Sequence, residues 1–232
     1  LTEFRLLEAF RRLFDGKVYR PRSSTKGDEV SSYLFEDLHS LARSPKFVAR
    51  AKSHEIVVNS GNTIQGKKGR RGDGTLGELV PGETAQSIEG FSVLRGAVAQ
   101  LQIGSEAKTL ATKMIAQIDR VMNDLEGQAK TFKKHRAEAI TVGIIGVNWA
   151  TEFTSVLGKN TFDAKVPPSR EAEEVERRIR ERVEPHYDEL VFLSYRASNR
   201  DPYPFEWVNE SRTKKNYGSA LIRISTEYEK RF

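Results

Sequence analysis

Apolar residues fall at helical intervals along the first sixteen positions, where Leu6, Leu7, Phe10 and Phe14 are spaced among Arg, Glu and Asp. The pattern predicts an amphipathic helix closing near Gly16, followed by a basic loop over 17–27. Asp28 can then cap a second helix, in which Val30, Tyr33, Leu34, Leu38 and Leu41 form one apolar stripe. Ser44-Pro45 should end it, because a residue before proline is pushed out of helical geometry. The β-branched run 55–59 predicts a strand. Residues 61–82 hold seven glycines and the cations Lys67, Lys68, Arg70 and Arg71, which predicts a loop that is mobile or ordered by a ligand.

Alternation over 91–95 and 98–103 predicts a β-hairpin turning at Gly96. Leu110, Met114, Ile118, Val121 and Leu125 then recur at intervals of three and four, predicting a long helix to Gly127 or beyond. Its polar edge carries Lys113, Gln117, Arg120 and Asp124. Residues 140–147 are apolar on both faces, as expected of a central strand. Pro167-Pro168 precedes a charged helix over 170–183, a strand over 189–195 and a final helix over 217–231. This order predicts an α/β fold, a mixed central β-sheet flanked by helices. One domain is expected over 1–232, its core over about 28–148 and a C-terminal helix-strand-helix extension over about 168–232.

Composition narrows the chemistry. Lys and Arg number 38 against 32 Asp and Glu, a net charge of +6, which favours a polyanionic partner such as DNA or RNA. Cysteine is absent, which excludes disulfides, thiol nucleophiles and zinc ribbons. With no signal-like N-terminal stretch and no membrane-length apolar run, the cytoplasm is the expected location and no membrane partner is expected. His39, His54, His135 and His186 are dispersed, without ligand spacing. No Gly-rich phosphate fingerprint supports nucleotide-dependent catalysis.

The informative residues are Glu106-Ala107-Lys108, at the end of an expected strand and before an expected helix. Side chains two apart on a strand share a face. A carboxylate that holds Mg²⁺ beside a lysine that orients water or stabilises phosphate charge suits phosphodiester hydrolysis. A second acid is needed. A hairpin at Gly96 would bring Glu89, 17 residues upstream, beside Glu106. Asp73, between Gly72 and Gly74, is the competing acid, and Glu78 and Glu36 are further candidates. The loop cations Lys67, Lys68, Arg70 and Arg71, with Lys113, could grip phosphates. The aromatics of 202–207 could stack on bases or cap a core edge.

These residues resemble the PD-(D/E)XK nuclease superfamily, the restriction-endonuclease-like fold. Its core runs helix, three strands, helix, strand, with an acid on one strand and Glu-x-Lys on the next. The resemblance implies an αβββαβ core, Mg²⁺ as cofactor, Glu106 as a metal ligand and Lys108 as the catalytic lysine. It also implies Glu89 in the place of the usual Asp and Gln117 as a supporting polar residue. The expected activity is Mg²⁺-dependent endonucleolytic cleavage of double-stranded DNA, of the type II restriction kind, by a homodimer. A DNA-binding domain without catalysis and an RNA-processing or DNA-repair nuclease are the rival readings.

Overall fold

The structure is a computed structural model and describes residues 3–20, 25–64, 67–68, 72–157 and 160–232. The elements run α1 (Arg5–Arg11), α2 (Thr25–Leu41), α3 (Pro45–Lys52), β1 (Ile56–Ile64), β2 (Lys67–Lys68), β3 (Gly74–Leu79), β4 (Arg95–Leu110) and α4 (Met114–His135). They continue with β5 (Ile140–Asn148), β6 (Thr154–Leu157), β7 (Asn160–Asp163), α5 (Pro168–Val183), β8 (Glu189–Ala197), β9 (Phe205–Trp207) and α6 (Glu210–Arg231).

One mixed sheet has the order β2-β1-β3-β4-β5-β8-β9. The pairs β1/β3 and β3/β4 are antiparallel, while β4/β5 and β5/β8 are parallel. The sheet curls so that β1 also meets β4. A separate antiparallel pair, β6 and β7, stands off the sheet. The expected mixed sheet flanked by helices is therefore present. No helix of the described residues is long and apolar enough to cross a membrane.

β5 is buried along its whole length because both faces are covered. Ile140, Val142 and Ile144 join a core with Leu6 and Phe10 of α1, Leu34 and Phe35 of α2 and Leu221 of α6. Ile145 and Val147 join a second core with Met114, Ile118 and Leu125 of α4 and Val175 and Ile179 of α5. The alternation of period two thus divides one strand between two helical layers.

Several boundaries differ from expectation for local reasons. Ser44-Pro45 does not only stop α2. The Ser44 hydroxyl accepts from the Phe47 N–H at 3.0 Å, and Pro45 occupies the first turn, where its missing N–H costs nothing, so the pair starts α3. α2 begins at Thr25, three residues before the expected cap at Asp28. The expected hairpin at Gly96 is absent: β4 runs unbroken from Arg95 to Leu110, and Gly96 lies within it opposite Asn59. The hairpin-like pair is instead β3 with β4, and β3 lies in the glycine-rich stretch expected to be a loop. An added Cβ at Gly77 would strike the Gln100 carbonyl of β4, so the glycines that argued against a strand are what let its backbone close on β4.

The α1 N-terminus has no side-chain cap of its own. Asp37 of α2 supplies one, accepting from the Arg5 N–H at 2.8 Å, the Leu6 N–H at 3.0 Å and the Tyr217 hydroxyl at 2.9 Å. Its neighbour Glu36 accepts from the N–H groups of Ser92 and Val93 and from Arg5. Asp37→Ala strands three donors, two of them buried, and should lower stability by about 3 kcal/mol, with Asp37→Asn costing less. Urea unfolding of both variants checks this, and equal stability of Asp37→Ala and the parent would contradict it.

Candidate active site

β3 begins at Gly74, opposite Ser105, so β4 has lost that neighbour by the time it reaches Glu106. On its other side it stays paired with β5, Glu106 opposite Gly143 and Lys108 opposite Ile145. The strand segment carrying Glu106, Ala107 and Lys108 is therefore held rigidly on one edge and open on the other. Glu106 and Lys108 share the face toward α4, and the Lys108 Nζ lies 2.7 Å from the Glu106 Oε1.

The open edge is filled by Asp73. Gly72 has φ +70°, and a Cβ there would come within 2.5 Å of the Phe132 ring, so the turn into β3 requires glycine. That turn sets the Asp73 Oδ2 2.9 Å from the Ala107 N–H, a donor that β3 leaves unpaired. Behind it is Gly27 of α2, where any side chain would collide with the Asp73 carboxylate.

Burial pushes the Asp73 carboxyl up to about 7, and the charges of Glu106 and Asp28 add to the rise, opposed by the Ala107 hydrogen bond and Lys108. The charge of Glu106 thus favours the protonated form of Asp73. For Lys108, burial works against the ammonium, but Glu106, Asp73 and Asp124 outweigh it and hold the pKa above its ordinary value. Lys108 stays charged. The Tyr187 hydroxyl donates to the Leu125 carbonyl at 2.9 Å, and burial followed by the charges of Glu106 and Asp73 pushes its pKa far up.

Beyond Lys108 an open cleft of about 910 Å³ runs between the end of β4, the polar edge of α4 and the β6–β7 arm. Lys113, just before α4, and Gln117, Arg120 and Asp124 on it line the cleft, as the sequence grouped them. Gln117 is engaged with its own helix end, its Nε2 donating to the Thr112 carbonyl at 3.0 Å. Lys113 is the residue before α4, with left-handed backbone, and Glu171 of α5 caps the helix by accepting from the Met114 N–H at 2.8 Å. On the other side of Lys108 a smaller cavity of about 80 Å³ is bounded by Tyr19, Gly27 and Thr109. Burial pushes the Tyr19 hydroxyl up to about 12 despite its hydrogen bond with Thr109.

Glu89 is not brought to this site. It is exposed in the turn before β4, where Gln86 bridges Arg95 and the Gly90 carbonyl accepts from Arg5. From Arg95 to Glu106 the strand extends roughly 35 Å. The placement beside Glu106 fails because it depended on the hairpin at Gly96. Glu36 is consumed in holding Ser92 and Val93. Glu78 pairs with Arg50 and accepts from Gln102. Lys67 and Lys68 form β2 at the sheet edge, their side chains outside the described set, and Arg70 and Arg71 lie outside the described residues. The aromatics Phe205 and Trp207 pack on Phe10 and cap a core edge.

Asp28 and Asp124 flank the site without having been given a role in the sequence. The sequence offers Asp28 only as a cap and Asp124 only as part of a polar edge. Among the described residues no three His, Cys, Asp or Glu side chains converge as a metal cage. The donor set that does converge, Asp73 and Glu106, is all oxygen. That fits Mg²⁺, which is commonly held by one or two carboxylates with water and substrate oxygens completing its shell.

The raised Asp73 pKa has a signed consequence for stability. The unfolded chain loses this proton near pH 4, while the folded chain keeps it to about pH 7, so stability falls as pH rises across that window. Asp73→Asn keeps an acceptor for Ala107 and removes the titration. Its stability relative to the parent should climb from pH 4 to 7 and level off above that at a gain on the order of 4 kcal/mol. Denaturant midpoints across that range measure it, and a difference independent of pH would contradict the assignment.

The chain matches no protein-family model, no curated protein and no solved structure.

Proposed function

We propose that the chain is a Mg²⁺-dependent nuclease that hydrolyses DNA phosphodiesters, with Asp73 and Glu106 holding the cation and Lys108 beside them. The observation that carries this reading is the seating of Asp73 on the Ala107 N–H, which puts two carboxylates and an ammonium around one three-residue segment. The order α2, β1, β3, β4, α4, β5 supports the resemblance to the PD-(D/E)XK superfamily, with β2 as an addition at the edge. In this reading Asp73, and not Glu89, is the acid of the preceding strand.

Mg²⁺ when bound would neutralise phosphate charge and make a nearby water easier to ionise. Glu106, 7% exposed, and Asp73 are crowded together, and their repulsion would be relieved by a divalent cation held between them. Lys108 is kept protonated by those same carboxylates and can donate hydrogen bonds to a phosphate oxygen or to the attacking water. Cutting both strands of duplex DNA needs two such sites, so a homodimer belongs to the same proposal.

The test is cleavage of a long, sequence-diverse duplex DNA with Mg²⁺. The parent should cut, while Asp73→Asn, Glu106→Gln and Lys108→Ala should each lose at least about 100-fold in rate. Glu89→Gln should cut like the parent. Cleavage retained in Glu106→Gln, or lost in Glu89→Gln, would overturn the assignment.

A further inference from the structure

The cleft's third wall is the β6–β7 arm, and nothing in the proposed chemistry uses it. Every described residue of β7 is exposed, and Phe162 is 53% exposed although phenylalanine gains most from burial. Phe162 pairs in register with Ser155, and both line the same cleft as Lys108. The arm is anchored at its base. Arg200 pairs with Asp163 at 3.0 Å and with Glu152 at 2.6 Å, and its Nε donates to the Thr154 hydroxyl, which itself bonds Asp163 at 2.7 Å. Arg200 offsets part of the Asp163 charge facing the cleft, while also serving Glu152. Facing the arm, α4 presents the exposed cations Lys113 and Arg120, with Asp124 as the remaining acid.

An exposed aromatic on a braced arm, cations opposite it and Lys108 at the inner end form a groove that suits one strand of nucleic acid. Bases stack on the ring while phosphates follow the cations. A volume of about 910 Å³ is in the class that encloses a small ligand of a few rings, roughly two nucleotides and not a duplex. We infer that the cleft takes an unpaired DNA segment, one base stacking on Phe162 and the backbone passing Lys113 and Arg120 toward Lys108. The duplex cut in the proposed reaction must then flare locally, so that one strand enters the cleft. The inference rests on the nuclease reading for its purpose but not for its test.

That test is binding without added metal. A single-stranded oligonucleotide carrying 2-aminopurine, and its duplex form, are titrated into the parent, Phe162→Ala, Phe162→Trp and Arg120→Ala while fluorescence is recorded. The parent should bind the single strand more tightly than the duplex and quench the probe. Phe162→Ala should weaken binding about 10-fold or more and abolish the quench at unchanged salt dependence. Phe162→Trp should restore both, and Arg120→Ala should reduce the salt slope by about one. Equal binding of duplex and single strand, or of Phe162→Ala and parent, would overturn the inference. Tight strand binding in a protein that cuts nothing would support this inference while sinking the nuclease reading, so the two fail separately.

Discussion

The hydrogen bond from the Ala107 N–H to the Asp73 carboxylate is the constraint on which the site depends. It exists because β3 starts one residue short of Glu106 and leaves a backbone donor of β4 without a sheet partner. A buried unpaired N–H is costly, and Asp73 relieves that cost at the price of standing against Glu106. The site is thus built by a strand that stops early. It crowds two acids beside one ammonium, and the proposed cation would relieve that crowding.

The remainder of the fold holds that arrangement still. β5 pairs with the far edge of β4 through the whole Glu106–Lys108 segment, and its own two faces are locked by separate helical layers. α2 contributes twice: Gly27 makes room for the Asp73 carboxylate, while Glu36 and Asp37 fix the chain before β4 and the start of α1. α4 closes the face toward which Lys108 points and provides the cationic edge of the cleft. Among the described strands, β6 and β7 alone lie outside the main sheet, and β7 is exposed along its length.

The sequence carried the parts dominated by strong periodicity. β5, α4 and the apolar stripe of α2 were legible because their burial imposes a regular pattern. Glu106 and Lys108 were legible as a same-face pair because strand geometry fixes that relation over two residues. Asp73 was harder to read. Its position depends on β3, whose Gly74 and Gly77 lower strand propensity, yet are needed for close approach to β4. Gly96 misled in the opposite sense, since a glycine between alternating runs signals a turn, whereas here it lies in a long curved strand at the crossing with β1. Glu89 was drawn toward the site only by that turn. The β6–β7 arm is too short, and α3 too dependent on Ser44 as a cap, to declare themselves by pattern alone.

Calorimetric titration of Mg²⁺ into the parent protein at pH 7 tests whether Asp73 and Glu106 together hold a divalent cation. Repeating the titration in buffers of different ionisation enthalpy counts the protons released. Saturable binding should expel a fraction of one proton, because Asp73 is part-protonated before the cation arrives, with both signals lost in Asp73→Asn and Glu106→Gln. Binding that survives in both variants, or no saturable binding in the parent, would contradict it.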